Sequence, residues 1–235
     1  MDGSEGRQSP EKGSAKEPGK VVARSRTKRS EEILDASAEL FLQKGYAATR
    51  TRDIAERVGI LNGSLFHHFD SKETLLYEVL LQTHELMTDH LEQHRRVKGR
   101  PIERLRKFLE THTRLVAENL ARSAVFHAEF RHLTGVRRDE LLESRRRYSA
   151  HLRSLIDECA EAGEIDLRYP SDIVTRAILS LLNSLYLWYR PDGPLPPEGL
   201  SNLLGDLVLR GLAVRDEGSP HKVSGPIVAR KREAR

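Results

Sequence analysis

Apolar residues recur at intervals of three and four along most of this chain, and that spacing predicts amphipathic helices. The first helix is expected to end at Gly45, because glycine commonly follows a helix C-terminus. Its apolar positions are Ile33, Leu34, Leu40 and Phe41. A short second helix follows, with Thr51 as its predicted N-cap and Gly59 at its end. A third short helix is predicted over residues 64–68.

The rest of the pattern predicts longer helices. Asp70 or Ser71 can cap the fourth helix. Further helices are predicted over residues 101–120, about 121–133, 136–162 and 171–189, with a last one ending near Gly211. No segment alternates between apolar and polar residues as a half-buried strand does. The predicted fold class is therefore all-α, with about nine helices.

The first three helices have the layout of a helix-turn-helix unit, in which a turn at Gly59 joins two short helices. The third helix is rich in side chains that form hydrogen bonds, and Gly63 allows close backbone approach. Those side chains are Asn62, Ser64, His67 and His68. Leu65 and Phe69, four residues apart, are expected to face the core. The sequence thus predicts an N-terminal three-helix DNA-binding domain followed by a C-terminal helical bundle.

The order of residues in this unit resembles the N-terminal signature of TetR-family transcriptional regulators. The resemblance covers roughly residues 27–80. The matching stretches are Ile33-Leu34-Asp35-Ala36 with Leu40-Phe41 and Gly45-Tyr46-Ala47-Ala48-Thr49, RDIAERVGI at residues 52–60, and GSLFHHFDSKETLL at residues 63–76. It implies a DNA-binding domain over residues 26–72 and a ligand-binding and dimerisation domain over residues 73–214.

The resemblance also implies which residues contact DNA. Thr51 matches a position that binds phosphate through its hydroxyl and the helix N-terminus. Arg52 matches a position often aimed at a base edge, and Lys72 matches one that grips phosphate. The full predicted set is Arg50, Thr51, Arg52, Asn62, Gly63, Ser64, Phe66, His67, His68 and Lys72. Phe66 departs from the family pattern, which commonly has tyrosine there, and a phenyl ring cannot donate a hydroxyl to phosphate.

Other interpretations of these residues are open from the sequence. Phe66 could pack in the core, and Arg57 is expected to form only part of a solvated charged face, whereas a base contact is favoured for Arg52. His67 and His68 could form a metal or catalytic pair. Adjacent helical residues diverge by roughly 100°, however, so they cannot readily share an ion.

The net charge of +4 is concentrated at the two ends of the chain. Residues 1–29 carry +4 and residues 215–235 carry +3, whereas residues 30–214 carry −3. Residues 1–25 and 215–235 also lack apolar periodicity, so both are predicted to be disordered basic tails. The N-terminal tail could reach the minor groove or backbone of DNA, or remain solvated with no defined role.

The last two predicted helices carry more apolar residues than one packed stripe requires. The residues are Ile173, Val174, Ala177, Ile178, Leu181, Leu182 and Leu185, then Leu200, Leu203, Leu204, Leu207 and Val208. Pairing of both helices, about residues 171–189 and 197–211, with their symmetry mates would bury this surplus in a four-helix homodimer interface. The alternative is that both are simply central core helices.

An effector site is expected where polar side chains lie among aromatic ones on inward-facing helices, because small-molecule pockets are apolar with a few convergent polar groups. The predicted effector contacts are Phe126, His127, Phe130, Arg131, Tyr148, His151, Asn183, Trp188 and Arg190. Arginine and histidine suit an anion or the phosphates of a thioester.

Two stretches, residues 63–69 and 188–194, resemble TetR-type regulators of lipid, fatty-acid or sterol breakdown, which often respond to acyl-CoA thioesters. The resemblance implies a repressor that binds a palindromic double-stranded DNA operator as a homodimer and is released by an acyl-CoA-type effector. A different hydrophobic effector, or none, is the alternative.

An enzyme is not expected. The chain has no Gly-rich phosphate loop and no Gly-x-Ser-x-Gly motif, and its single cysteine, Cys159, excludes a disulfide framework and a cysteine-based zinc site. His90 and His94 share a helix face, but no third metal ligand is evident, so a solvated polar stretch is expected there. No metal or cofactor is predicted. Without an apolar span or signal segment, a cytoplasmic, nucleoid-associated location is expected.

Overall fold

The computed structural model describes residues 26–213, and the two predicted basic tails, residues 1–25 and 215–235, lie outside this range. Nine α-helices and no β-strand occur within it, which confirms the all-α fold class. The helices are α1 (Lys28–Lys44), α2 (Thr51–Arg57), α3 (Asn62–His68), α4 (Lys72–His94), α5 (Pro101–Glu118), α6 (Leu120–Glu129), α7 (Gly135–Glu161), α8 (Ser171–Asn183) and α9 (Pro197–Leu212).

The first three helices pack with the start of α4 around a small core, as expected for a helix-turn-helix unit. Its fully buried side chains include Ile33, Leu34, Phe41, Ile54, Leu65, Leu75 and Leu76. Thr51 is the first residue of α2 rather than its N-cap, which is Arg50. The Asp53 carboxylate accepts a hydrogen bond from the Arg50 backbone N–H at 3.3 Å, so this acidic side chain takes the capping role predicted for Thr51.

Helix α4 connects the two halves of the structure. Ser71 caps it, because its hydroxyl oxygen accepts a hydrogen bond from the Thr74 backbone N–H at 3.0 Å. The helix is 23 residues long, which corresponds to about 34 Å. Leu75 and Val79, near its start, belong to the first core, whereas Leu91, near its end, belongs to the second.

The second core is formed by α5, α7, α8 and α9, with α5 packed between α7 and α9. Its most buried side chains are Leu105, Phe108, Leu109, Leu152, Leu155, Ile156, Cys159, Leu182, Leu185 and Leu200. Burial raises the pKa of the Cys159 thiol to about 11, which agrees with the prediction that it packs as a small apolar residue.

Helix α8 ends at Asn183, six residues earlier than the sequence pattern predicted. A 3-10 turn, Ser184–Leu187, continues the chain. The Ser184 hydroxyl donates to the Leu181 carbonyl at 2.8 Å, and such side-chain bonds offer the backbone an alternative to the helix. No helix within residues 26–213 is both long and apolar enough to span a bilayer.

Candidate DNA-binding surface and effector cavity

Helix α3 presents a mostly polar surface because Leu65, near its middle, and Phe69, directly after it, face inward. Leu65 is fully buried and Phe69, directly after the helix, is 7% exposed. The exposed members of the predicted DNA-binding set are Arg50, Arg52, Asn62, Gly63, Phe66, His67 and His68, and the half-buried ones are Thr51, Ser64 and Lys72. The structure therefore leaves all ten outside the buried core, on the start of α2, on α3 and at the start of α4.

Two exposed apolar side chains lie on or beside α3. Phe66 is 43% exposed, so it is not the core residue that one interpretation of the sequence allowed. Leu61, the N-cap residue of α3, is 80% exposed and was not singled out from the sequence. Apolar side chains contact thymine methyl groups in DNA complexes, so both belong to the candidate surface. In the sequence, Leu61 could have been recognised as an apolar residue in an otherwise polar turn.

Ion pairs hold the arginines of α2 loosely. Arg52 pairs with Glu56 at 2.9 Å, and both side chains are mostly exposed. Arg57 pairs with Glu39 of α1 at 2.6 Å, in keeping with the charged face expected for it. Exposed pairs of this kind contribute about 0–1 kcal/mol. A base or phosphate can therefore compete for Arg52 at low cost.

Lys72 is held against the loop between α1 and α2. Its ammonium donates a hydrogen bond to the Ala47 carbonyl at 3.2 Å and lies 4.4 Å from the centre of the Tyr46 ring. Partial burial lowers the pKa of Lys72. The side chain thus ties the start of α4 to the loop that leads into α2, and its phosphate contact stays a prediction.

Helix α6 contacts the DNA-binding unit through charged side chains at both ends. Arg122 forms an ion pair with Asp35 of α1. Glu129, the last residue of α6, accepts a hydrogen bond from the Tyr46 backbone N–H at 3.1 Å and lies 3.2 Å from His132. The close approach is made where Gly45 adopts a φ of 80°, a backbone conformation that favours glycine.

A cavity of about 520 Å³ lies in the second half of the structure, between α4, α5, α6, α7 and α8. Its wall combines apolar side chains with hydroxyl, imidazole and amide groups. The lining residues include Thr83, Met87, His112, Val116, Ser123, Phe126, His127, Arg145, Tyr148, Arg176, Leu179, Asn183 and Tyr186. This volume lies within the range of small-molecule sites, which is about 300–1,000 Å³.

Four of the nine predicted effector contacts line this cavity, namely Phe126, His127, Tyr148 and Asn183. The other five lie elsewhere. Phe130 packs against the first core, His151 lies 2.9 Å from His94, and Arg131, Trp188 and Arg190 are exposed. The role of each lining residue in ligand binding stays a prediction. Sequence periodicity missed Thr83, Ser123 and Arg145, whose short or charged side chains gave no sign of facing a cavity.

The stretch around His90 and His94 is buried, so the expectation of a solvated polar stretch was wrong. Each residue is 4% exposed. Hydrogen bonds reach both rings from other parts of the chain: His90 Nδ1 lies 2.8 Å from the Tyr148 hydroxyl, and His94 Nε2 lies 2.8 Å from the Arg104 carbonyl oxygen. His90 Nε2 has no partner among residues 26–213. Desolvation lowers the pKa of His90 to about 3. Within residues 26–213, no group of three metal-ligand side chains is arranged to hold an ion.

Arg145, like Ser149 and Arg176, lines both the cavity and an open groove of about 850 Å³ between α7 and α8. The other arginines of that groove are paired: Arg146 with Glu143, Arg153 with Asp157 and Arg176 with Asp172. No acidic group lies within 4 Å of Arg145 among residues 26–213. Its guanidinium instead lies 5.4 Å from the Phe126 ring and 4.9 Å from the Phe130 ring. Desolvation lowers the pKa of Arg145.

The last elements of the described chain expose apolar side chains. They are Ile173 on α8, Leu187 in the following 3-10 turn, Trp188 after it, and Leu203 and Leu207 on α9, each between 51% and 71% exposed. Other side chains of the same helices, such as Leu182 and Leu200, are fully buried. Helix α9 therefore has a core-facing stripe and an additional apolar face, and α8 adds the exposed Ile173 near its start.

Comparison with known proteins matches both halves of the chain. Residues 33–79 match the family model "Bacterial regulatory proteins, tetR family", and residues 98–212 match "Tetracyclin repressor-like, C-terminal domain". The HTH-type transcriptional repressor KstR2 of Rhodococcus jostii (strain RHA1) is 32% identical over 200 residues, which cover 82% of this chain and 93% of that protein.

Solved structures of transcriptional regulators also resemble this chain. The ketosteroid transcriptional regulator KstR2 of Mycobacterium tuberculosis superposes with a TM-score of 0.76 and 27% identity, covering 83% of this chain and all of that one. AibR shares the fold, with a TM-score of 0.68 and 23% identity over 77% of this chain and 97% of its own. The named relatives are transcriptional regulators, which confirms the expectation that the chain is not an enzyme. The chain therefore belongs to the TetR family of transcriptional repressors.

Proposed function

We propose that this protein binds a palindromic operator as a homodimer and is released from it by an apolar, anionic effector of the coenzyme A thioester class. The observation that carries the effector half of the proposal is Arg145, a cation without an acidic partner at the mouth of a partly apolar cavity. The DNA half is supported by the exposed polar surface of α3 and by membership of the family.

Dimerisation is supported by the exposed apolar face on α8, the following turn and α9. Five large apolar side chains exposed by half or more are costly to leave in water, at about 25 cal/mol per Å² of apolar surface. A second copy of the chain would cover them in a two-fold symmetric interface. Trp188, which the sequence predicted as an effector contact, is instead proposed to belong to this interface.

Two copies of α3 would then read two half-sites. A two-fold dimer reads a palindrome when its recognition helices lie about 34–36 Å apart, in successive major grooves. Arg52, Asn62, Ser64 and His68 are proposed to contact bases or phosphates, and Lys72 is proposed to contact phosphate. The protein would act on chromosomal DNA in the cytoplasm.

The effector class follows from the chemistry of the cavity and the groove beside it. An acyl group suits the apolar wall formed by side chains such as Met87, Val116 and Leu179. The phosphates of coenzyme A would pair with Arg145, which lines both the cavity and the groove. The other groove arginines already have acidic neighbours. AibR, a protein of the same fold, has been solved with isovaleryl coenzyme A and operator DNA.

Helix α6 offers a route from effector to operator. Phe126 and His127 line the cavity, and Glu129 at the end of the same helix contacts the backbone of Tyr46. An anion that draws Arg145 away from the rings of Phe126 and Phe130 changes the packing of α6. A coupling free energy of about 1–3 kcal/mol would change operator occupancy roughly 5- to 150-fold.

A gel-shift titration against the DNA that flanks the protein's own gene tests the proposal. We expect a defined shift that one or more acyl-CoA thioesters reverse and that free coenzyme A does not. The Arg145→Gln variant should shift DNA equally well but need higher thioester concentrations for release. A shift that no thioester reverses would retain the operator and reject the effector class. No shift, followed by failure of selection from genomic DNA, would reject both.

A further inference from the structure

A chain of four polar side chains runs from the second core to the cavity wall. The Tyr148 hydroxyl lies 2.8 Å from His90 Nδ1 and 2.7 Å from His112 Nδ1. At the far end, His112 Nε2 lies 3.0 Å from Asn183 Oδ1. A tyrosine hydroxyl has one proton, so Tyr148 donates to one imidazole and accepts from the other. The chain therefore has a direction.

The buried end of the chain sets that direction. His90 Nε2 is buried and has no hydrogen-bond partner among residues 26–213. A buried N–H without an acceptor is rarer than an unpaired lone pair, so the proton of His90 lies on Nδ1 and is donated to Tyr148. Tyr148 then donates to His112 Nδ1, and His112 Nε2–H donates to Asn183 Oδ1. Desolvation keeps both rings neutral, lowering the pKa of His90 to about 3 and that of His112 to about 4.

This direction fixes how Asn183 faces the cavity. Its carbonyl oxygen accepts from His112, and the His127 ring also interacts with this side chain. The amide nitrogen makes no hydrogen bond of normal geometry to another group of residues 26–213. Asn183 itself lines the cavity. An amide nitrogen is a donor only, so it can donate to an acceptor atom of a ligand, or of water, in the cavity.

We infer that Asn183 is a specificity residue that binds a carbonyl oxygen of the effector, with His112 and Tyr148 as the residues that orient it. The inference rests on the proposed effector function, because it assigns a group within the same cavity. Two further lining residues support a polar group on the ligand. The buried hydroxyls of Thr83 and Ser123 have no partner among the described residues, whereas the buried Thr113 hydroxyl donates to the Leu109 carbonyl at 2.8 Å.

The carbonyl has two possible sources, the thioester itself or a ketone in the apolar body. Three probes separate them: decanoyl-CoA has a thioester carbonyl, S-decyl-CoA is the thioether that lacks this carbonyl but keeps the same two pantetheine amides, and 2-decalone is a neutral bicyclic ketone without coenzyme A. Binding of each would be measured by calorimetry or ligand-detected NMR to the full chain. The proteins would be the wild type, Asn183→Leu, and Glu118→Ala as a control at an exposed position outside the cavity wall.

Asn183→Leu should weaken binding of at least one carbonyl probe about fivefold, the size of one neutral hydrogen bond, and leave S-decyl-CoA unchanged. If Asn183→Leu binds decanoyl-CoA more weakly, the group that Asn183 contacts is the thioester carbonyl. If only 2-decalone binds more weakly, that group is a ketone. Equal affinities in all three proteins, or no binding of either carbonyl probe, would overturn the inference. If 2-decalone binds through Asn183 but no coenzyme A compound binds, the inference holds and the thioester class fails.

The direction of the chain can be observed independently of any ligand. A long-range ¹H–¹⁵N spectrum of the unliganded protein should show His112 protonated at Nε2 and His90 protonated at Nδ1. Tyr148→Phe removes the proton that fixes His112, so carbonyl binding should weaken while S-decyl-CoA binding is retained. A spectrum with His112 protonated at Nδ1 would place the Asn183 oxygen, not its nitrogen, toward the cavity and would contradict the assignment.

Discussion

Glu129 Oε1 accepts a hydrogen bond from the backbone N–H of Tyr46 at 3.1 Å, joining residues that are 83 positions apart in the sequence. Glu129 is the last residue of α6, whose Phe126 lines the cavity, and Tyr46 lies in the loop that leads into α2. The contact is well shielded, because Glu129 is only 7% exposed. A movement of α6 would therefore act directly on the backbone that leads into the DNA-binding helices.

We predict that Glu129→Ala reduces the effect of the effector on operator affinity by about fivefold or more, within the range of coupling free energies between sites. Fluorescence anisotropy of a labelled operator, with and without thioester, measures this effect. Glu129→Gln keeps an acceptor oxygen for the Tyr46 N–H and should respond more like the wild type. Glu118→Ala, at an exposed position at the end of α5, is the control. A normal response in Glu129→Ala would show that coupling takes another route.

Arg52 and Lys72 are predicted to contribute to operator binding in different ways. Arg52→Ala should cost about 1–3 kcal/mol and relax preference at one base position, because a base edge carries sequence information. Lys72→Ala should weaken all sequences evenly and flatten the dependence of affinity on salt, because it removes one phosphate contact. Titrations over an operator variant set at several salt concentrations distinguish the two. Unchanged affinity and preference in Arg52→Ala would reject its assigned role.

The exposed apolar face is predicted to hold the dimer together. Leu203→Glu places a charge on α9 where the side chain is 52% exposed, so the monomer should still fold while the dimer dissociates. Sedimentation velocity would report the change in mass, and operator affinity should fall with it. Val136→Glu, at a 73% exposed position on α7, is the matched control and should remain dimeric. A Leu203→Glu variant that remains dimeric would show that the interface lies elsewhere.

Stability is predicted to decrease as the pH is lowered from about 6.5 to 4. Desolvation lowers the pKa of His112, His127 and His151 to about 4 in the folded chain, whereas unfolded histidine titrates near 6.5. In this interval the unfolded state binds more protons, so each histidine lowers the free energy of unfolding by up to about 1.4 kcal/mol per pH unit. Above pH 7 these histidines are neutral in both states, so they contribute nothing to the slope there.

Denaturant titrations at a series of pH values measure this slope. His112→Gln should reduce the slope by the contribution of about one proton, because the variant lacks one imidazole that takes up a proton on unfolding. Its stability at pH 8 gives the cost of the lost hydrogen bonds separately. A slope in His112→Gln equal to that of the wild type would show that His112 is already charged in the folded protein.

Much of the fold could be predicted because helical periodicity is a local signal. Leu65 and Phe69 share one face of a short segment, and both are buried as expected. Local signals also limited the cap of α4 to Asp70 or Ser71, and the structure shows that it is Ser71. The end of α8 was missed because apolar residues continue at helical spacing through Leu185, while the Ser184 hydroxyl favours a turn.

The cavity was harder to predict because its polar groups depend on contacts between distant residues. His90 looked solvated, since its partner Tyr148 lies 58 positions later. Aromatic residues near the end of α8 suggested Trp188 as a ligand contact, but only the three-dimensional path of the chain shows that it faces outward. Arg145 is one of three consecutive arginines, Arg145 to Arg147, and sequence alone gives no reason to separate it from the others.

The most direct test of the account is the reciprocal effect of operator and effector on each other. If one dimer holds both sites and they oppose each other, the factor by which thioester weakens operator binding equals the factor by which operator weakens thioester binding. Calorimetric titration of decanoyl-CoA into the protein, alone and saturated with operator DNA, measures the second factor. We predict a reduction in thioester affinity of roughly 5- to 150-fold that matches the anisotropy result. Equal thioester affinity with and without operator would contradict the account.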